Sequence, residues 1–444
     1  MQKVEALRKK HPRFIYNKYS YKIIGGNLEM VFDFLLEPDI KFKPKIIIKN
    51  INKARLKKIG LPVGTSSRRS RAGARVLNNF VFHLGLMEMP SYWKAACPPD
   101  IVIEAGYLTK EQILWWKNLF IKGMGQFFYE NKIDWRKPDF LRIRSQSIKN
   151  NQYKFKGKVS NRYLVPISGG KDSIVTLEKL KNKNTNAFVL DPKKFKFALP
   201  VLRTAKIKNP LMAERKMDPL LLKLNKNNYL NGHTPFSAVL AFLSVFCGVL
   251  FDYKHIALSN EKSANEGNVK YLGKIINHQY SKSSEFEKKF NNYCKKYLTE
   301  NVHYFSFLRK YGELELAKMF SKYPKYFSVF SSCNAGLKLN KKWCLNCPKC
   351  LSVYSSLYPY LDKKDLLKIF KQDLFKKKEL LETMRNLMGQ ACPPKLGERR
   401  RRSHKPFECV ATFKESRLAF NLSLKRAKKS GDIPFLLNKL NAFK

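Results

Sequence analysis

Between residues 163 and 259 the chain alternates short apolar runs with stretches of helical spacing, a rhythm that predicts strands exchanged with helices. Residues 163–167 (YLVPI) are short enough for a buried strand. Residues 173–180 place apolar side chains at helical spacing, and 187–190 is a second short run closed by Asp191-Pro192. The longest apolar stretch, Phe236–Phe251, reads as a buried helix leading to a strand at 255–259. Such alternation implies an α/β fold with a parallel, doubly wound sheet. Upstream, residues 1–155 mix strand-like runs (Lys45–Ile48) with helical ones (110–120) and are expected to form an α+β domain. Pro98-Pro99 and the basic, serine-rich stretch 66–75 read as loops. The α/β domain is expected to span 156–360. Residues 361–444 read as mostly amphipathic, lysine-rich helix broken by the arginine run 399–402.

Composition narrows this picture. At 444 residues, 44% hydrophobic and 13% aromatic, the chain can bury a large core and is not a disordered tail. The apolar stretch Phe236–Phe251 is shorter than the roughly 20 residues that span a bilayer, so no membrane insertion is expected. The charged first segment, MQKVEALRKKHPRF, does not read as a secretory signal, and a cytoplasmic protein is expected. The net charge is +53, from 87 Lys and Arg against 34 Asp and Glu. The lysines are spread along the chain and form no single stripe, which suits an anionic small substrate. RNA is the lesser alternative partner.

The strongest local motif is SGGKDS, residues 168–173, directly after a strand and opening a helix. Gly169 and Gly170 let the backbone turn tightly and present N–H groups to phosphate, and the helix adds its positive end. Ser168 and Ser173 offer hydroxyls, Lys171 a positive charge, and Asp172 a carboxylate for Mg²⁺. A Walker A loop would need Gly-Lys followed by Ser or Thr, and Asp172 stands there instead. The fragment resembles the PP-loop of ATP-pyrophosphatases, which cleave ATP between its α and β phosphates. In an open α/β sheet the ligand lies beyond the carboxyl ends of the strands. NGHTP (231–235) and SNEKSANEGN (259–268) fall where such ends are expected. His233, taken alone, also suits a capping or core role.

Of nine cysteines, Cys333, Cys344, Cys347 and Cys350 cluster late in the chain. Two-residue gaps let neighbouring thiolates share one metal, and four sulfurs suit a closed, structural Zn²⁺ site. An iron–sulfur cluster takes the same four thiolates. Cys97, Cys247, Cys294, Cys392 and Cys409 read as ordinary residues.

Longer stretches resemble the UDP-N-acetylmuramoyl-L-alanyl-L-glutamate epimerase family. They are FHLGLMEMPSYWKAACPP (82–99), GMGQFFYENKID (123–134), SGGKDS, NGHTPFSA (231–238), SNEKSANEGN, NHQYSKSSEFE (277–287), YFSFLR (304–309), WCLNCPKC (343–350) and KPFECV (405–410). Lys310 stands where the family pattern has Pro, Ala411 where it has Gly, and 66–75 and 391–403 look like insertions.

The resemblance implies an ATP- and Mg²⁺-dependent inversion of the terminal L-glutamate of that UDP-sugar peptide, without a pyridoxal cofactor. An α-proton beside a free carboxylate is very weakly acidic, and adenylation makes the carbanion an accessible enolate. For proton transfer the candidates are His233, His278 and Lys282, with Tyr280 beside them and Glu261 as acid–base or Mg²⁺ partner. His278, Tyr280 and Lys282 alternate, which puts them on one side of an extended segment. They suit electrostatic binding of phosphate or UDP-sugar equally well. Cys97 is a weaker candidate thiol base. Rival readings are a carboxylate-activating synthase of the 7-cyano-7-deazaguanine type, which leaves residues 1–150 unexplained, and a tRNA-modifying ATP-pyrophosphatase, which the charge favours.

Overall fold

The computed structural model describes residues 2–51, 53–58, 68–147, 152–390, 407 and 410–440. The chain opens with two long strands, β1 (Arg13–Ile24) and β2 (Asn27–Leu36). They pair antiparallel through Gly25-Gly26, whose φ angles of +53° and +73° suit a tight hairpin that glycine enters without strain. β2 buries every second residue, from Leu28 to Leu36, as a half-covered strand should. β3 (Ile40–Phe42), β4 (Lys45–Ile48), β5 (Asp100–Ile103) and β6 (Arg142–Ser145) complete the first half.

The second half supplies β7 (Tyr163–Pro166), β8 (Thr185–Leu190), β9 (Leu211–Lys216), β10 (His255–Leu258), a hairpin of β11 (Val269–Tyr271) and β12 (Lys274–Ile276), and β13 (His303–Ser306). Both halves share one sheet, in the order β13-β10-β7-β8-β9-β4-β2-β1-β5-β6, with β3 on β2. From β13 to β9 all neighbours are parallel, and β1, β5 and β6 are parallel again. The contacts β9–β4, β4–β2 and β2–β1 are antiparallel. The sheet is therefore mixed and mostly parallel, of the α/β class. The expected all-parallel character stops at β9, because its free edge is taken by β4, a neighbour of the hairpin strand β2.

Helix Phe236–Phe251 forms with the expected bounds and is buried along most of its length. It lies against helix Arg68–Trp93, where the rings of Phe80 and Phe246 stack at 4.9 Å. Residues 68–75, expected as loop, are the first turns of that helix. The basic run is compatible with helix because it contains no proline, and Arg75 covers the ring of Tyr153 at 4.7 Å. No helix among the described residues is long and apolar enough to cross a membrane. The arginine run 399–402, Cys392 and Cys409 lie outside the described residues. Downstream, helix Pro348–Leu357 packs against helix Phe413–Ser430, which starts with a reciprocal cap between Thr412 and Glu415.

Candidate functional site

Beyond β7, Ile167 to Gly170 turn sharply into helix Lys171–Leu180. Gly169 has φ +92°, where an L side chain is strained, and a Cβ there would come 3.3 Å from the carbonyl oxygen of Phe197. A Cβ on Gly170 would stand 2.9 Å from Ser332 Oγ. The turn is held by Ser331 N, donating to Gly169 O at 2.9 Å, and by Ser173 Oγ, donating to Gly170 O at 2.9 Å. Gly170 caps the helix without a side chain, so the first-turn N–H groups are left for an anion.

The turn opens into a cavity of about 350 Å³. Its polar side includes Ser168, Asp172, Ser173, Asn260 and Ser332, and its apolar side includes Phe188, Phe197, Phe236 and Leu240. It lies at the carboxyl ends of β7, β8 and β10, where the strand order turns back on itself at β7. A flat apolar group and a polyanion would both find matching walls there.

Lys171 does not line this cavity. Its ammonium is buried between Glu313 Oε2 at 2.8 Å and Asp172 Oδ1 at 2.5 Å. Burial works against its charge, but Asp172, Glu313 and Glu261 outweigh that and hold Lys171 above its ordinary value. Glu313 also accepts from Ser356 Oγ at 3.0 Å, and its backbone N–H donates to Glu415 Oε1 at 2.8 Å. Glu261 belongs to the same group. Burial first, then Glu313 and Asp172, push its carboxyl up to about 8. Its Oε1 accepts from Ser263 Oγ at 2.9 Å, while its buried Oε2 has no hydrogen-bond partner among the described residues.

The second cluster is built on the 231–235 loop. Burial, followed by the positive field of His278, Lys282 and Lys94, pushes His233 down to about 4, so the imidazole is neutral at physiological pH. The Gly123 carbonyl opposes that shift weakly, and Nδ1 is buried with no hydrogen-bond partner among the described residues. The His278 ring lies 6.3 Å away, with Nδ1 2.6 Å from Asn268 Oδ1. Phe407 packs on His278 at 5.9 Å. Lys282 Nζ donates to Gln279 Oε1 at 3.1 Å, and the side chain lines the cavity.

The segment carrying these residues is not extended. Tyr280–Lys282 is a 3-10 turn, and three residues per turn send alternate positions apart. His278 and Lys282 reach the field of His233, whereas Tyr280 is buried and donates to Asn118 Oδ1 at 3.1 Å. Cys97 is fully buried, with burial pushing its thiol up to about 12, which leaves no thiolate for a base.

Two site residues had only weak sequence signals. Lys94, a lone cation in an apolar run, is buried and donates to Asn231 Oδ1 at 2.6 Å and Gly232 O at 2.9 Å. Burial brings its ammonium down to about 8. Arg309 donates to the carbonyls of Glu261 at 3.1 Å and Lys282 at 2.5 Å, tying the two clusters together.

The four late cysteines converge, with their sulfurs all within 4.8 Å of one another. Cys333 and Cys347 are 3.7 Å apart, and Cys344 and Cys350 3.8 Å. A tetrahedral ion with bonds of about 2.3 Å to sulfur needs edges of about 3.8 Å, so the donor set fits such a metal. Backbone N–H groups of Gly336 and Cys350 point at the sulfurs of Cys333 and Cys347. Cys333 also lines the cavity, so the cluster adjoins the glycine turn.

Two family models match the chain in order, the MurL N-terminal domain over residues 6–307 and the MurL C-terminal domain over 329–442. A UDP-N-acetyl-alpha-D-muramoyl-L-alanyl-L-glutamate epimerase of Salinispora tropica is 31% identical over 421 residues, covering 92% of this chain and 84% of that protein. A protein of the same name from a Micromonospora species is 32% identical, covering 75% of this chain and 72% of the relative. Another, from Xanthomonas oryzae pv. oryzae, is 29% identical over 81% of this chain and 78% of its own length.

Proposed function

The chain belongs to the MurL family, and from that premise we propose that it inverts the terminal glutamate of UDP-N-acetylmuramoyl-L-alanyl-L-glutamate, a peptidoglycan precursor. We read its second half as a doubly wound PP-loop fold that works with ATP and Mg²⁺. The observation that carries this is the position of Lys282. It lines the cavity at the SGGKDS turn and its charge also acts on His233, which favours a single site for activation and proton transfer.

ATP supplies activation: a substrate carboxylate oxygen bonds to the α-phosphorus as the bridge to the β-phosphorus breaks and pyrophosphate leaves. The carboxylate becomes the uncharged acyl carbonyl of an acyl-adenylate, and the α-proton is acidified. Gly169, Gly170 and the helix behind them cradle phosphate, with Ser168 and Ser173 as hydroxyl donors. Asp172 and Glu261 are the carboxylates offered to Mg²⁺, which would draw charge from the departing phosphates. His233, neutral and with Nδ1 unpaired among the described residues, takes the α-proton. Lys282 or His278 returns one to the opposite face. Water then cleaves the acyl–phosphate bond, giving AMP and the inverted product.

At the cysteines we propose structural zinc held by Cys333, Cys344, Cys347 and Cys350. The test of the reaction is one incubation with Mg-ATP and the L-glutamyl substrate in D₂O. D-Glutamate carrying one deuterium at Cα, with AMP and pyrophosphate, is expected. AMP without inversion would move the chain toward an amide- or nitrile-forming activity.

A further inference from the structure

The turn that receives phosphate lacks the cation its sequence offers, because Lys171 is committed to Glu313 and Asp172. The cavity nevertheless has two lysines in its lining, Lys282 and Lys349. Lys282 faces the histidines and is bound to Gln279. Lys349 stands elsewhere, on the first turn of helix Pro348–Leu357, between Cys347 and Cys350. Cys347 caps that turn, its sulfur accepting from Cys350 N.

Lys349 lines the same cavity as Ser168, Gly170 and Asp172 of the glycine turn. The segment before it touches the glycine turn through Ser331 and Ser332. Its charge also acts on Glu261, whose carboxyl feels Asp172 of the turn. Among the described residues Lys349 makes no hydrogen bond or ion pair. It is half-buried, so an anion in the cavity would find it partly desolvated and without a competing carboxylate contact.

We propose that Lys349 binds the β- and γ-phosphates of a nucleoside triphosphate, and that the four-cysteine metal centre holds it in place. This rests on the ATP-dependent reading above. The metal centre is then more than a staple, because it carries the cation for the leaving pyrophosphate on the knuckle between two of its ligands. Loss of the metal should release that turn and weaken triphosphate binding ahead of monophosphate binding.

The test is equilibrium binding of ATP and of AMP to the full-length, metal-loaded protein, with metal content measured on the same samples. K349M is expected to weaken ATP binding about tenfold to a hundredfold, as for one charge-assisted contact. AMP affinity and metal content should stay within about twofold of wild type, and K349R should recover most of the ATP affinity. Unchanged ATP affinity in K349M, or equal losses for ATP and AMP at full metal content, overturns the assignment. Wild-type protein that binds neither nucleotide overturns the ATP reading itself, and this proposal with it.

Discussion

Lys171 and Glu313 stand 142 residues apart and meet in a buried ion pair, Nζ to Oε2 at 2.8 Å. One opens the helix behind the glycine turn, and the other opens helix Glu313–Phe320, whose first N–H is held by Glu415 from the C-terminal region. The pair therefore couples the glycine turn to the last third of the chain.

Breaking it from one side should be costly. Lys171→Met leaves Asp172, Glu313 and Glu261 facing one another, and a loss of about 3–5 kcal/mol is expected in urea unfolding. The double variant Lys171→Met with Glu313→Leu should recover part of that loss. A single variant as stable as wild type would show that the pair carries no strain-bearing charge.

Glu261 gives a pH signature. Its folded-state pKa of about 8 lies above the unfolded value, so its contribution to stability is full below about 4.5 and is lost as pH rises toward 8. Glu261→Gln should thus gain stability relative to wild type at pH 8–9 and little at pH 5. Thermal unfolding across that range reads the sign directly.

His233 should work as base at unusually low pH. With its pKa near 4, the acid limb of the epimerisation rate should fall well below pH 6 and not near the ordinary 6.5. His233→Asn together with His278→Asn should slow inversion by about 10²–10⁴ while exchange of pyrophosphate into ATP continues. A loss of less than about tenfold removes both from proton transfer.

Lys94 positions the loop that carries His233. Lys94→Met removes donors to Asn231 and Gly232, and a drop of at least about tenfold in the inversion rate is expected, with ATP–pyrophosphate exchange kept. Partial rescue by Lys94→Arg would separate charge from shape. Equal losses in both assays would make Lys94 a general stability residue.

The four-cysteine cluster makes a compositional prediction. One zinc per chain is expected by elemental analysis, without the visible absorption of an iron–sulfur cluster. Cys344→Ser with Cys347→Ser should abolish that zinc and lower the melting temperature. Iron with inorganic sulfide would replace the zinc assignment.

Much of the scaffold was legible locally. Helix Phe236–Phe251 could be read residue for residue, because sixteen apolar or small positions in a row admit few alternatives. The four cysteines, brought within 4.8 Å, followed from thiolate spacing. The alternation in NLEMVFDFLL and the Gly25-Gly26 turn both signal the long hairpin β1–β2, which a coarse α+β reading of residues 1–155 does not resolve. An extended segment would put Tyr280 beside His278 and Lys282. The 3-10 turn separates it.

Short-range physics made several features legible in the sequence: the glycine turn between strand and helix, the buried helix, the four-cysteine cluster and the family resemblance. Periodicity, turn chemistry and ligand spacing act over a few residues, so one segment suffices to read them. Tertiary structure alone decided which charges meet. It turned Lys171 inward to Glu313, lowered Lys94 and His233 by burying them, and left Lys349 in the cavity wall without a partner among the described residues. Those outcomes depend on packing among segments a hundred or more residues apart, where burial and field set the chemistry of a side chain more than its neighbours in sequence do.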